Sequence, residues 1–263
     1  METAISRGFE EMSSVNQALA LLQQLSLPPY EFTLGELAAA IGYSKSGTYK
    51  ILIQLQKENY VQQQTNRKYA LGCAVLKLHQ AYENYSLNWN ICRPILEQLR
   101  SVTGETCTLA RWENGHAHIL YRVRSPENLR VEGNVGRVLP MNASAHGKLL
   151  AAFQDEQIID TLIKKYPLQK ICPNTITDVE QLKAEYRNIR KEGVSISVEE
   201  SSIGAIGIAA PVYGHDGRVV ASLCVGTPSS RLTFEKREMV TKRVIASAQE
   251  LSRIIREQAA AAR

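Results

Sequence analysis

Apolar residues early in the chain fall at Val15, Ala18, Leu19, Leu22 and Leu25, the three-and-four spacing that gathers them on one side of a helix. Ser13 or Ser14 can cap that helix, and Pro28-Pro29 ends it. Thr33 followed three residues later by Glu36 is a capping box, which opens a short helix with Leu34, Leu37, Ala38 and Ile41 inward and a stop at Gly42. Ser44 caps a third helix over residues 45–59, in which Ile51, Leu52 and Leu55 form the inner stripe. Lys45, Ser46, Thr48, Tyr49 and Lys50 crowd toward its start. Residues 60–64 and 69–72 flank Thr65-Asn66-Arg67-Lys68 and read as a β-hairpin with a positively charged tip. The order helix, helix-turn-helix, hairpin predicts a winged helix over residues 1–73.

Helical spacing resumes over residues 74–90, with Val75, Leu76, Leu78, Ala81 and Tyr82, and again over 94–102 before Gly104 breaks it. Residues 74–92 are accordingly read as a linker helix. Strand-like runs follow at 106–112, 118–123, 194–198, 206–212 and 219–225, with helices expected at 145–153, 155–166, 178–192 and 234–258. Gly214-His215-Asp216-Gly217 is a hairpin turn, so the strands beside it should be antiparallel. The fold class is therefore α+β, with a second domain over residues 93–263.

Composition removes several function classes. At 263 residues and 44% hydrophobic content the chain can bury a substantial core, and 22% charged residues argue against disorder. A net charge of +5 suits a polyanionic partner without demanding one. The five cysteines, Cys73, Cys92, Cys107, Cys172 and Cys224, are scattered and include no C-x-x-C pair, which argues against a disulfide framework and a zinc ribbon. No run is long and apolar enough to span a bilayer, and residues 1–12 carry Glu2, Glu10 and Glu11 without an apolar centre, so the expected location is the cytoplasm.

The second helix of a helix-turn-helix lies in the major groove, with its first residues against base edges and flanking cations on phosphates. Ser44, Lys45, Ser46, Thr48, Tyr49 and Lys50 are placed for that work. Thr48 and Tyr49 are the expected base contacts, Lys50 the expected guanine or phosphate contact, and Arg67 and Lys68 the contacts of the wing.

These residues, with Ser14-Val15, Ala18-Leu19, Thr33-Leu34, Leu37-Ala38, Gly42 to Ser46 and Tyr69-x-Leu71-Gly72, resemble the isocitrate-lyase-regulator (IclR) family of bacterial regulators. The resemblance continues through Arg93 to Leu96, Thr103 to Glu105, Leu139 to Lys148, Thr175 to Thr177, Glu199-Glu200, Gly204, Ile208 to Val212 and Ser230 to Thr233, and so covers nearly the whole chain in order. It implies a dimerising linker helix and a C-terminal domain similar to GAF folds that binds a small organic acid, in a homodimer or dimer of dimers on palindromic double-stranded operator DNA. By the same resemblance the effector pocket is lined by residues 139–148, 197–200 and 204–208, with Met141, Ala145, His146, Gly147, Ser197, Glu199 and Gly207 as its members. Backbone amides at Ala145-His146-Gly147 would hold a carboxylate, since a helix start offers free N–H groups. Ser197 and Gly207 stand where relatives that bind small oxo-acids tend to carry Asp and Cys, and His146 where a small or apolar residue is usual. A gap at Gly207 would admit a bulkier, aromatic acid, and a protonated His146 would pair with its carboxylate. The alternative for His146 is a cap satisfied by a backbone carbonyl. In the DNA half, Gln17 and Lys50 replace the arginines common in the family, and Lys50 lacks bidentate geometry.

Rival readings find less support. Residues 142–149 miss the phosphate-loop pattern, because Asn142 and Leu149 replace the first glycine and the magnesium-binding hydroxyl. His116 and His118 near Cys107 lack a closing ligand pair. Glu199 and Glu200, as strand neighbours, would face opposite ways and so could not share a substrate. The reading calls for no catalytic residue, cofactor or metal. Its alternatives are a DNA-binding oligomeric scaffold without an effector and an enzyme acting on a small carboxylic acid.

Overall fold

The computed structural model describes residues 13–85 and 89–261, so the start of the chain and residues 86–88 of the expected linker helix lie outside the described residues. The chain divides into two compact units, with the boundary between residues 86 and 87.

The first unit runs α1 (Ser14–Leu25), α2 (Leu34–Ala40), α3 (Lys45–Lys57), β1 (Val61–Gln63), β2 (Tyr69–Leu71) and α4 (Ala74–Tyr85). Its helix starts are those the capping residues predict. Ser13 accepts from the Asn16 amide, and Thr33 and Glu36 form the full capping box, with the Thr33 amide donating to Glu36 at 2.7 Å. Leu21, Leu25, Leu37, Leu52, Val61 and Tyr69 close a single small core. Each such side chain contributes about 1.5–3 kcal/mol on burial, which fixes the angle at which α3 leaves α2. The wing is antiparallel, Val61 opposite Leu71, and Phe32 adds a bridge to Tyr69.

The second unit contains α5 (Trp89–Thr103), β3 (Thr106–Glu113), β4 (His116–Val123), β5 (Val138–Leu139), α6 (Ala145–Ala152), α7 (Glu156–Lys165), α8 (Val179–Glu192), β6 (Ser195–Val198), β7 (Ala205–Tyr213), β8 (Val219–Pro228) and α9 (Phe234–Ala261). Six strands form one antiparallel sheet in the order β5-β4-β3-β8-β7-β6. Strand alternation sorts the core: Ile206, Ile208, Ala210 and Val212 of β7 join α5 and α9 on one face. Ala209 of the same strand joins α6 and α8 on the other, together with Ala110, Ile119 and Cys224. The expected interruption before Pro94 is absent, since α5 carries Pro94 inside it. The proline removes one backbone donor near the helix start, a loss offset by burial of Cys92, Ile95, Leu96 and Leu99 against the sheet.

Candidate functional site

Two clusters fit the residues singled out in the sequence, one in each unit. In the first, Ser44 sets the start of α3 by accepting from the Gly47 amide at 3.1 Å, and its hydroxyl lies 3.4 Å from that of Ser46. Lys45, Ser46, Tyr49 and Lys50 are exposed on the same turn and the next, and Tyr49 leaves 48% of its surface free. Arg67 stands exposed at the wing tip with a left-handed backbone, held by the Asn66 side chain accepting from the Lys68 amide at 2.9 Å. Lys68 is half-buried. Thr48 does not belong to this surface. It is 0% exposed, on the stripe that packs with Leu52, so it cannot reach a base edge. Helical phase explains the correction: residues 48 and 52 are one turn apart, and Leu52 faces the core.

The second cluster forms where α6 meets the sheet. Every residue of α6 is buried. Ser144 caps it, accepting from the Gly147 amide at 2.9 Å through its side chain and from the Lys148 amide at 2.8 Å through its carbonyl. Of the proposed amide cradle, Gly147 is therefore already committed. Its α-carbon also lies against the strand-side backbone, since a β-carbon there would stand 2.0 Å from the Pro140 carbonyl oxygen. Ser197 pairs in register with Gly207 and donates its hydroxyl to the Ala143 carbonyl at 2.7 Å. A β-carbon on Gly207 would meet that of Ala145 at 3.1 Å and the Cys224 sulfur at 3.6 Å, so the expected gap at Gly207 is already filled by α6 itself.

His146 is 4% exposed and bonded on both ring nitrogens, Nε2 to the Thr108 hydroxyl at 2.8 Å and Nδ1 to the Ser222 hydroxyl at 2.9 Å. Burial pulls its pKa down to about 3, so the ring is neutral and offers no cation to a carboxylate. The partners are hydroxyls from β3 and β8 rather than a backbone carbonyl, which corrects both readings of this residue. Over the same sheet face lies the connection between β4 and β5. Val131 packs against Gly226, its Cγ1 3.1 Å from where a β-carbon there would stand, and Gly133 lies against the Thr108 methyl. Arg122 secures this loop by donating to the Asn134 side chain at 2.6 Å and to the Glu132 carbonyl at 3.0 Å.

Met141 is half-buried, and its carbonyl accepts from the Tyr186 hydroxyl at 2.9 Å. Glu199 sits beyond β6 in a left-handed bend, so the strand argument that separated Glu199 from Glu200 does not apply. Glu200 turns inward to Lys148, whose ammonium is 1% exposed and donates to Glu200 at 2.8 Å, to Glu185 at 2.9 Å and to the Ile196 carbonyl at 2.8 Å. Burial raises the Glu200 carboxyl above its usual range in spite of that ammonium. Lys148 and Glu200 lay within motifs of the resemblance, but Thr108, Ser222 and Glu185 were not singled out by sequence; Thr108 and Ser222 are ordinary strand residues that the sheet brings to His146. Among the described residues no three His, Cys, Asp or Glu side chains gather as a metal site, and no helix is long and apolar enough to cross a membrane.

Residues 14–65 match the family profile described as IclR helix-turn-helix domain, and residues 86–253 that described as Bacterial transcriptional regulator IclR C-terminal. The HTH-type transcriptional regulator KipR of Bacillus subtilis is 25% identical over 242 residues, covering 92% of this chain and 96% of the relative. The Thermotoga maritima IclR structure superposes with a TM-score of 0.77 at 24% identity, over 93% of this chain and 99% of that one. An IclR homologue from Microbacterium hydrocarbonoxydans, solved with 4-hydroxybenzoate, gives a TM-score of 0.79 at 20% identity over 93% and 100%. At these identities the two structures establish the fold.

Proposed function

This chain belongs to the IclR family of bacterial transcriptional regulators, and from that premise we propose that it reads an operator through α3 and the wing and that a small organic acid bound at the start of α6 alters that binding. The observation that carries the DNA half is the exposed set Lys45, Ser46, Tyr49 and Lys50 on the first turns of α3, with Ser44 capping the helix and Arg67 free at the wing tip. Lys45, Lys50, Arg67 and Lys68 serve phosphates or guanine acceptors, and Ser46 and Tyr49 serve base edges. We keep the winged helix at 1–73 and take α4 as the linker of the expected 74–92, because the compact units part between residues 86 and 87 and α5, from Trp89, packs with the second. Leu76 and Leu78, exposed on different sides of α4, leave apolar surface for a homodimer or dimer of dimers, which would place two reading helices on one palindrome.

For the effector half, the acid enters between α6 and the sheet, where Ala145, His146, Ser197 and Gly207 converge, with Met141, Gly147 and Glu199 at the margins. The Ala145 and His146 amides hold its carboxylate, because Ser144 occupies the next two. The His146 ring fills the interior, so the acid has to displace it and take over the Thr108 and Ser222 hydroxyls as donors. A relative's binding of 4-hydroxybenzoate supports an aromatic acid as the first compound to try. Operator affinity changes only if the acid binds the DNA-competent and incompetent forms unequally. The same filled interior favours a second reading, in which the C-terminal domain assembles oligomers and senses nothing.

Titration calorimetry with benzoate, 4-hydroxybenzoate and short aliphatic acids separates the two, repeated with operator DNA present. Saturable binding that changes DNA affinity supports the effector reading. Absence of heat across the panel, with intact DNA binding, supports assembly alone.

A further inference from the structure

With Thr48 in the core, the first turns of α3 lack one of their expected base contacts, and the residue that covers the neighbouring position comes from outside the helix. Tyr43 lies in the turn between α2 and α3, its amide donating to the Ala38 carbonyl at 3.0 Å. Its ring lies over Gly47. A β-carbon on Gly47 would stand 2.1 Å from Tyr43 Cε1, 2.7 Å from Cζ and 2.9 Å from Cδ1, so the ring occupies the volume of a side chain at position 47. Glycine inside a helix costs about 1 kcal/mol relative to alanine, and here the vacancy it leaves is filled by an aromatic ring.

The phase of α3 tells which way that ring looks. Thr48 and Leu52 point into the core, whereas Lys50, three residues beyond Gly47 and on the same ridge, is exposed. Tyr43 retains 41% of its surface, a large share for an aromatic residue packed on a helix. Cζ, the atom that bears the hydroxyl, is among the atoms nearest the missing side chain, so the phenol extends from the first turn on the flank that Lys50 shares.

We propose that Tyr43 is a specificity-determining residue, presenting its phenolic hydroxyl to a base edge in the major groove in place of a side chain from position 47. Ring and glycine act as a pair: the ring sets the height of the hydroxyl above α3, and Gly47 is the only residue that lets it lie there. The inference rests on the DNA-binding reading, and its test keeps the two apart.

The experiment is selection of binding sequences from a randomised duplex library by the full-length protein, its Tyr43→Phe variant and its Gly47→Ala variant, followed by affinities for the selected duplex and its single-base variants. Tyr43→Phe keeps the ring and its packing but removes the hydroxyl. It should select a motif relaxed at one base pair in each half-site, with discrimination there reduced ~10-fold and with unchanged affinity for unrelated duplex and unchanged salt dependence. Gly47→Ala should relax the same position by pushing the ring aside. An identical motif from Tyr43→Phe, or an equal loss on every sequence as a phosphate contact would give, overturns the role of Tyr43 and leaves the DNA reading in place. If the wild-type protein selects no motif, the DNA reading itself fails, and this inference with it.

Discussion

Thr48 and His146 are polar residues near the start of a helix, and both turn inward. The Thr48 hydroxyl has no hydrogen-bond partner among the described residues. An orphaned buried hydroxyl costs roughly 1–3 kcal/mol, so Thr48→Val, which keeps the shape, should raise thermal stability and leave DNA affinity unchanged. A fall in affinity in a gel-shift titration would put Thr48 back among the DNA contacts. Burial holds His146 at a pKa of about 3, below the 6.5 of a solvated imidazole in the unfolded chain. The unfolded state therefore binds the extra proton between these values, and the stability that the neutral ring contributes is complete above pH 6.5 and lost as pH falls toward 3. Chemical denaturation should show a loss on the order of 2–3 kcal/mol at pH 4.5 relative to pH 7.5 from this residue, and His146→Gln should flatten that part of the curve.

At the scale of elements, α6 is tied to α8 by Lys148 and Glu185, and to the end of β6 through Glu200 and the Ile196 carbonyl. Removing the ammonium leaves a carboxylate buried without its partner. Lys148→Met should lower unfolding free energy by about 3–5 kcal/mol, while Lys148→Met with Glu200→Gln should recover a large part of it. Equal destabilisation of the single and double variants would show that the pair is not coupled. A second tie of this kind joins the start of β3 to the start of α9 and the turn before it, where Glu105, 1% exposed, accepts from Arg231 at 2.6 Å and from Lys236 at 2.8 Å. Burial alone would raise the Glu105 carboxyl, but the hydrogen bonds from Arg231 and Lys236 hold it below its ordinary range.

At the scale of the whole molecule, two units with separate cores should unfold separately, and the sequence supplies the probe. Both tryptophans, Trp89 and Trp112, belong to the second unit, whereas helices occur in both. Guanidinium unfolding followed by circular dichroism should therefore show a transition absent from tryptophan fluorescence; coincident curves would mean that the units unfold as one. The sequence by itself determined the order of the elements, apart from the two-residue β5, and the starts of α1, α2 and α3. Those features depend on residues within a few positions of each other: a three-and-four stripe, a Thr33 to Glu36 box, a Ser44 cap. It also carried the family, through motifs spread along nearly the whole chain. The tertiary structure decided what each polar side chain faces. Thr48 is the exception, since it shares the phase of Leu52 and its inward turn was legible in the helical pattern; His146 finds hydroxyls 38 and 76 residues away because the sheet places β3 and β8 side by side. Tyr43 acquires Gly47 as its seat once the turn before α3 has closed. Burial and long-range pairing are properties of the folded chain, and local pattern does not contain them.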